Sequence, residues 1–357
     1  MKSYPQLASE FATDFDFFET VVGRKPKQTI SLEEINKLYS GQKILITGAG
    51  GTIGSALSRR LIQAGVSETY LLDRDESALH ALALKLSDNA ASHSEKCIIA
   101  DIRDRVGINL AVESIKPNYV FHAAALKHLV VLEKFPREGY LTNVLGTKNL
   151  IDACSEYGVE RFINVSTDKA AIPTSVLGAT KRVGELLTFE QSFESKEIWS
   201  SVRFGNVFAS RGSVIETFIH QIQNDLPITL TDMDVTRFFM SHDEAANLIL
   251  ASGSLEESSI FIQEMGERVL IRDVILNLAN ALEKRPKIEI IGLQKGEKMH
   301  EDLYDGPVSS TKFSSIMKVQ LKDNPEISNV IGRMGFPENT AEAVNYIAKL
   351  LQSTKTL

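Results

Sequence analysis

Apolar, β-branched runs recur along the first 205 residues of the chain, with amphipathic segments between them. The runs are KILIT (43–47), TYLLD (69–73), CIIAD (97–101), YVFHA (119–123), RFINV (161–165) and SSVRF (200–204). Strands that are covered by helices on both faces are continuously hydrophobic rather than alternating. The pattern therefore predicts an α/β fold, a Rossmann-like doubly wound parallel sheet.

The regularity ends after about residue 205, where short strands and helices mix. The predicted strands there are 227–232 and 287–292, and the predicted helices lie near 242–252 and 272–283. This mixture indicates a smaller C-terminal lobe that binds substrate.

Residues 1–40 also differ from the rest. Ser31-x-x-Glu34 is a capping-box signature for a short helix, and the FDFFETVVG segment before it is apolar enough to pack on a neighbour. We therefore predict an N-terminal arm (1–40), a Rossmann domain (41–205) and a C-terminal lobe (206–357) that returns some segments to the Rossmann domain.

Composition narrows the class of protein. The length of 357 residues and the apolar fraction of 43% suit a globular protein with a large core. A net charge of −7 argues against a nucleic-acid partner, because phosphate binding usually needs a basic surplus. No stretch approaches the roughly 18 apolar residues of a membrane span. We expect a cytoplasmic protein without a membrane span.

The segment TGAGGTIGS (47–55) lies between a predicted strand and a predicted helix, as a dinucleotide-binding loop does. Gly48 would make the tight turn, Gly51 would let the backbone approach a pyrophosphate, and Gly54 would pack the helix on the strand. Asp73 ends the next strand 19 residues after Gly54, where a carboxylate would bind the ribose hydroxyls. Asp73 favours NAD, whereas Arg74 beside it suits the 2′-phosphate of NADP. We predict NAD, with NADP as the alternative.

Further cofactor contacts are predicted at the ends of neighbouring strands. They are Thr52 and Ile53 in the loop, Asp101 and Ile102, Ala123 and Ala124, and Val207.

Several motifs follow the loop in order. They are HAAALKH (122–128), NVLGT (143–147), STDKAAIPTSVLGATK (166–181), VRFGNVFASRGSVI (202–215), TRFFM (236–240) and GEKMHEDL (296–303). With them, the chain resembles the extended short-chain dehydrogenases, and within these the nucleotide-sugar 4,6-dehydratases of bacterial polysaccharide biosynthesis. The resemblance covers roughly residues 40–305. The arm is similar to a segment that joins a membrane domain to the catalytic domain in longer relatives, so we expect a naturally soluble or trimmed version.

The resemblance implies a reaction and partners. UDP-N-acetylglucosamine would be oxidised at sugar carbon 4, lose water across carbons 5 and 6, and be reduced at carbon 6, so that NAD ends as it began. The resemblance also implies a homo-oligomer, a dimer or higher.

The helix segment departs from the short-chain dehydrogenase pattern Tyr-x-x-x-Lys. Leu177 occupies the tyrosine position, four residues before Lys181, so the two share a helix face. Lys181 can still bind the nicotinamide ribose, but leucine moves no proton. Positioned acid–base groups contribute on the order of 10²–10⁴ in rate, so an active enzyme needs a substitute.

The Thr-Asp-Lys triplet at the end of the fifth predicted strand is the candidate substitute, because ligands bind at the carboxyl ends of parallel strands. Thr167 would hydrogen-bond the carbon 4 hydroxyl. Asp168 would remove its proton and later protonate the departing carbon 6 hydroxyl. Lys169 would abstract the carbon 5 proton, which requires a neutral amine and hence a pKa lowered by burial or by Lys181. How these proton transfers are divided between Asp168 and Lys169 stays open.

Among the 4,6-dehydratases that the chain resembles, members that retain the carbon 5 configuration often carry methionine at the tyrosine position, whereas members that invert it keep tyrosine. Leu177 is close to methionine in size and polarity, so we predict the retaining reaction.

The resemblance also implies substrate contacts. They are Lys127, Asn206, Arg211, Ser213, Val214, Arg237, Glu297 and Lys298. A surface ion pair for Arg237 and a solvated charge for Lys298 are the alternatives. The histidines at 122, 128 and 300 are interpreted as structural, and no metal site is predicted.

Two other functions stay open. A nucleotide-sugar 4-epimerase or 4-reductase would use the same scaffold without needing the Asp168–Lys169 pair. A catalytically silent sugar-nucleotide sensor would bind the same ligands without turning them over.

Overall fold

The computed structural model describes residues 14–86, 95–319, 327–334 and 337–353. In its first half, strands and helices alternate as predicted. The strands are β1 (Ile44–Thr47), β2 (Thr69–Asp73), β3 (Cys97–Ile99), β4 (Tyr119–His122), β5 (Arg161–Val165) and β6 (Ile198–Arg203). The helices are α1 (Phe15–Val22), α2 (Leu32–Tyr39), α3 (Thr52–Gln63), α4 (Glu76–Leu86), α5 (Arg105–Ile115), α6 (Leu129–Lys134), α7 (Pro136–Gly139), α8 (Thr147–Glu156) and α9 (Val176–Glu194).

Two irregular helical segments interrupt this alternation. A π-helical turn (Tyr140–Gly146) leads into α8, and a 3₁₀ turn (Asp168–Ala170) follows β5. Both lie at the carboxyl end of the sheet, and π-helical turns are frequent at functional sites.

The second half has shorter elements. Its strands are β7 (Asn206–Val207), β8 (Ile228–Leu230), β9 (Thr236–Arg237), β10 (Phe239–Met240), β11 (Ile260–Gln263), β12 (Val269–Leu270), β13 (Ile288–Ile290), β14 (Val308–Ser310) and β15 (Ile316–Val319). Its helices are α10 (Val214–Gln223), α11 (His242–Gly253), α12 (Ile271–Ala281), α13 (Ile327–Met334) and α14 (Thr340–Ser353).

Among the described residues, the central sheet has nine strands in the order β14-β15-β11-β6-β5-β4-β1-β2-β3. The strands from β3 to β11 are parallel, and β15 and β14 are added antiparallel at one edge. The prediction of a doubly wound α/β sheet is confirmed. Because β1 pairs with both β2 and β4, the strand order reverses there and opens a crevice at the carboxyl ends, where such sheets bind ligands.

Helices cover both faces of the sheet with apolar side chains. On one face, α3 and α11 bury Leu57, Leu61 and Ile249 against it. On the other face, α5, α8 and α9 belong to a second core in which Phe162 and Trp199 stack with ring centroids 5.0 Å apart.

The arm packs on both halves of the chain, α1 on the second half and α2 on α3 of the first half. Ser31 and Glu34 form the predicted capping box of α2. Phe18 of α1 contacts Phe208 edge to face at 5.4 Å, within a third core that includes α10 and α12. Arg24 pairs with the buried carboxylate of Glu244 at 2.7 Å, which fixes the arm to α11.

The helices α13 and α14 pack on α9. Ile327, Ile331 and Ile347 share the core of the second sheet face with α9, and Ser328 donates hydrogen bonds to Glu190 of α9. Both faces of α9 are thus covered by the same chain. None of the described helices combines the length and apolar character that crossing a bilayer requires.

Candidate active site

A cleft of about 750 Å³ lies at the carboxyl ends of β1, β4 and β5. It runs continuously from the glycine loop, past the end of β5 and α9, to the segment that begins α10. Most of the predicted site residues line it: Gly48, Gly51, Thr52, Ile53, Gly54, Asp73, Arg74, Asp101, Ile102, Ala123, Ala124, Lys127, Thr167, Lys169, Leu177, Lys181, Asn206, Val207, Arg211, Ser213 and Val214. One space therefore adjoins both the predicted cofactor contacts and the predicted chemistry.

Close contacts with the backbone leave no room for a side chain at two glycines of the loop. Gly48 has φ +68°, and a Cβ there would lie 2.6 Å from the backbone nitrogen of Ala124. A Cβ on Gly54 would lie 2.2 Å from the carbonyl oxygen of Gly48, so helix α3 approaches the loop backbone directly. Gly51 is the N-cap of α3 and provides no side-chain cap. The first N–H groups of α3 and the helix dipole therefore face the cleft, as an anion requires.

Acidic residues at the end of β2 and after β3 line the cleft beside the glycine loop. Asp73 Oδ2 accepts a hydrogen bond from the Gly50 N–H at 2.9 Å. Asp101 pairs with Arg103 at 2.6 Å and lies 3.7 Å from half-exposed Arg74. The uncapped helix, the close glycine packing and the carboxylate at the end of β2 fit a nicotinamide dinucleotide.

The Thr-Asp-Lys triplet forms the 3₁₀ turn after β5. The Thr167 hydroxyl donates to Asp168 Oδ1 at 2.8 Å, and the backbone N–H of Lys169 donates to the same oxygen at 2.8 Å. The Lys169 ammonium lies 3.0 Å from that oxygen and 3.5 Å from Asn206 Oδ1. Lys169 borders the cleft, whereas Asp168 is fully buried and its Oδ2 has no hydrogen-bond partner in the part of the chain that the structure describes.

Leu177 and Lys181 lie on one face of α9 and both border the cleft. Burial lowers the pKa of Lys181 to about 8. His122 is buried behind it, and burial together with the Lys181 charge lowers the histidine pKa to about 3. Both ring nitrogens of His122 face hydroxyl groups, those of Thr47 at 2.7 Å and Thr147 at 3.0 Å, which suits a structural histidine.

Glu301 is a residue near the triplet to which sequence reasoning gave no role. Its side chain is buried, and Oε1 lies 3.8 Å from the Lys169 ammonium. Burial, with the Asp168 charge adding to it, raises the pKa of Glu301. The GEKMHEDL segment drew attention to Glu297 and Lys298, and nothing in its spacing indicates which carboxylate reaches β5.

Two supporting groups were also missed. Asn143, in the π-helical turn, accepts from the Leu126 N–H and donates to the Leu126 carbonyl, so it fixes the backbone after β4. Glu185 accepts hydrogen bonds from Ser166 at 2.6 Å and from buried Arg203 at 2.7 Å, which ties the end of β5 to α9. The NVLGT motif was the available signal for Asn143.

Lys127 has a polar environment within the cleft. Its ammonium lies 3.4 Å from the Ser210 hydroxyl, and burial lowers its pKa. The Arg211 N–H donates to Thr52 Oγ1 at 3.1 Å, which joins the substrate segment to the glycine loop.

The structure does not place Arg237, Glu297 and Lys298 among the residues that line the cleft. Arg237 pairs with Glu297 at 2.9 Å. The buried Lys298 ammonium has no hydrogen-bond partner among the described residues, and its nearest carboxylate oxygen is on Glu301, at 3.9 Å. Within those residues, no three His, Cys, Asp or Glu side chains are grouped to hold a metal ion.

This fold and cleft define an extended short-chain dehydrogenase/reductase. The chain belongs to the family described as "Polysaccharide biosynthesis protein", whose profile matches residues 44–321. It is thereby related to nucleotide-sugar dehydratases and 4-epimerases.

Three relatives illustrate this kinship. The chain is 38% identical over 290 residues to "Probable polysaccharide biosynthesis protein EpsC" of Bacillus subtilis, a match covering 80% of the chain and 48% of EpsC, so the chain spans about half the length of that relative. It is 34% identical to "UDP-N-acetylglucosamine 4,6-dehydratase (inverting)" of Campylobacter jejuni, covering 74% of the chain and 78% of that protein. The solved structure of Pen from Bacillus thuringiensis is 33% identical, with a TM-score of 0.68, and the match covers 74% of the chain and 83% of Pen.

Proposed function

We propose that this protein is a nucleotide-sugar 4,6-dehydratase that converts UDP-N-acetylglucosamine to the 4-keto-6-deoxy sugar, with retention at carbon 5. The observation that carries the proposal is the Asp168–Lys169 pair, which lies at the end of β5 beside a cleft whose other end is the glycine loop. The Campylobacter relative, named for this substrate, supports the choice of sugar nucleotide.

The glycine loop and Asp73 would hold the dinucleotide, which we take to be NAD, and Lys181 would bind the ribose near the chemistry. A bound dinucleotide would supply the hydride acceptor for sugar carbon 4 and the hydride donor for carbon 6.

The residues of the chain move the protons. Thr167 orients the carbon 4 hydroxyl, and Asp168 accepts its proton. The Lys169 amine removes the proton at carbon 5, and Asp168 then protonates the carbon 6 hydroxyl as it leaves. The departing water thus carries the proton that came from carbon 4, and the carbon 5 proton returns to the sugar from Lys169.

Leu177 supports retention, because no phenol is present on α9 to deliver a proton to the opposite side of carbon 5. Lys169 alone would remove and return that proton from one face. The Campylobacter relative has "inverting" in its name, and the reaction proposed for this chain would differ from an inverting one in the configuration of its product at carbon 5.

The test is incubation of the purified protein with NAD and UDP-N-acetylglucosamine, with product mass measured over time. We expect a product that is lighter than the substrate by one water. Its NMR coupling constants should show that the configuration at carbon 5 is retained. A 4-epimerase would leave the mass unchanged, and a silent sensor would leave the substrate intact. Either result contradicts the proposed dehydration.

A further inference from the structure

The surroundings of Lys169 raise a chemical problem. Its ammonium lies 3.0 Å from Asp168 and 3.8 Å from Glu301, and both carboxyl groups are buried. A lysine side chain is ordinarily a protonated ammonium at neutral pH. The reaction proposed above nevertheless needs Lys169 as a neutral amine, so the lysine must pass its proton to another group.

Asp168 is not free to take this proton, because in the proposed reaction it receives the proton of the carbon 4 hydroxyl. Glu301 is the other carboxyl group at the lysine, and its Oε2 has no hydrogen-bond partner among the described residues. Burial, together with the Asp168 charge, raises the pKa of Glu301, while the charges of Lys169, Arg237 and Lys298 act in the opposite direction. The carboxyl group is therefore suited to hold a proton for part of a catalytic cycle.

The fold holds Glu301 in this place. Buried Arg203 of β6 donates to the Leu303 carbonyl at 3.3 Å and to Asp305 at 2.8 Å. Arg182 of α9 binds Asp305 at 3.0 Å as well. These contacts anchor the chain just after Glu301 to the strand and the helix that flank the triplet.

We propose that Glu301 is a positioning residue that acts through Lys169, because its carboxylate receives the ammonium proton that Lys169 must lose before its amine can act as a base. In this step an N–H bond of Lys169 breaks and an O–H bond of Glu301 forms. The amine then takes the carbon 5 proton and later returns it to the sugar, after which Glu301 gives its proton back to Lys169. No proton is gained or lost over the cycle. The inference rests on the proposed dehydratase function.

The test variant is Glu301→Gln, which keeps the shape and an acceptor oxygen but cannot take the proton. Lys169 must then lose its proton to solvent before substrate binds. We expect the ratio of variant to wild-type kcat to be lowest at about pH 6, where the loss is roughly tenfold or more, and to recover as the pH rises. The matched control is Glu190→Gln. The Glu190 carboxylate is buried and accepts a hydrogen bond from Ser328 away from the cleft, so this variant should show the wild-type dependence of kcat on pH.

A second measurement does not depend on turnover. Brief acetylation with acetic anhydride at one fixed pH, followed by peptide mass spectrometry, reports how often the Lys169 amine is neutral. Because the variant has no carboxylate at position 301 to take the ammonium proton, we expect Lys169 to be acetylated at about a third of the wild-type rate or less in Glu301→Gln, and at the wild-type rate in Glu190→Gln.

The outcomes separate the two proposals. A wild-type protein that removes no water from the substrate overturns the proposed function, and the acetylation comparison still decides whether Glu301 acts on Lys169. Lys169 acetylation that is equal or faster in Glu301→Gln than in wild type, or a kcat ratio that is constant with pH, overturns the role of Glu301.

Discussion

Asp168 and Lys169 are adjacent in the chain, yet their side chains have different surroundings. The Asp168 carboxylate is fully buried and receives hydrogen bonds from Thr167 and the Lys169 backbone, whereas the Lys169 side chain is 19% exposed and borders the cleft. The buried acid is held in one orientation. The Lys169 amine has more freedom to move, because its side chain borders the cleft.

We expect Asp168→Asn and Lys169→Ala each to lower kcat by about 10²–10⁴, the usual contribution of a positioned acid or base. Dinucleotide affinity should be unchanged, because the glycine loop contacts neither side chain. Turnover assays and dinucleotide titration by calorimetry measure the two effects. Asp152→Asn, at a surface carboxylate paired with Lys148, is the control and should behave as wild type. Full turnover in either triplet variant would remove its proposed role.

Single residues were predictable where a motif has local meaning. The triplet, Leu177 and Lys181 were found because their spacing relates to one strand end and one helix face. Glu301 was not found, because it follows Lys169 by more than a hundred residues in the chain and comes near it only in the folded protein. Sequence periodicity carries no information about such a contact.

At the scale of elements, the junction of β1, the glycine loop and α3 is closely packed beside the site. A Cβ on Gly54 would lie 2.2 Å from the Gly48 carbonyl oxygen and 2.6 Å from the Ala49 Cα, and no side chain tolerates such distances. The helix cannot move away without displacing its N-terminus from the cleft. Packing and the anion site therefore depend on the same contact.

Gly54→Ala should destabilise the fold by several kcal/mol and weaken dinucleotide binding strongly, because a methyl group would meet fixed backbone rather than a flexible side chain. Gly332→Ala in α13 is the matched control, since a Cβ there has no neighbour within 4 Å. It should stabilise the protein by about 0.5–1 kcal/mol through helix propensity. Urea denaturation measures both, and equal effects of the two substitutions would contradict this account.

The elements of the first half were predictable in detail. The predicted boundaries of β2 and β5 match the structure, because buried parallel strands are continuous apolar runs bounded by polar residues. By contrast, β11, β14 and β15 were not identified individually. Each has only three or four residues, and their membership of the sheet comes from pairing with distant strands rather than from local pattern.

At the scale of the whole molecule, a buried ionic network joins the two halves. Arg203 of β6 is bound by Glu185 of α9 and by Asp305 of the C-terminal half. Opposing charge from Arg203 is a main reason why the pKa of Glu185 is lowered despite burial. The network holds the strand, the helix that carries Lys181 and the segment that carries Glu301 in one arrangement.

Arg203→Leu should cost about 3–5 kcal/mol of unfolding free energy, because it leaves the Glu185 carboxylate buried without its main partner. Arg272→Leu, at a partly exposed arginine near Asp234, is the control and should cost no more than about 1 kcal/mol. Chemical denaturation at neutral pH gives both values. The destabilisation should shrink as the pH falls, since a Glu185 that becomes protonated no longer carries an unpaired charge. A loss that stays constant as the pH falls would argue against the ionic origin.

The seating of α13 and α14 on α9 has a consequence for the order in which the protein is built. On the ribosome, α9 emerges more than a hundred residues before the segments that cover its outer side. During that interval its apolar side chains there are exposed to the cell's chaperones and to other nascent chains. The helix that carries Lys181 therefore gains its final rigid support only after α13 and α14 have been synthesised, and substitutions in α14 should reduce the yield of folded protein before they alter the chemistry of the folded protein.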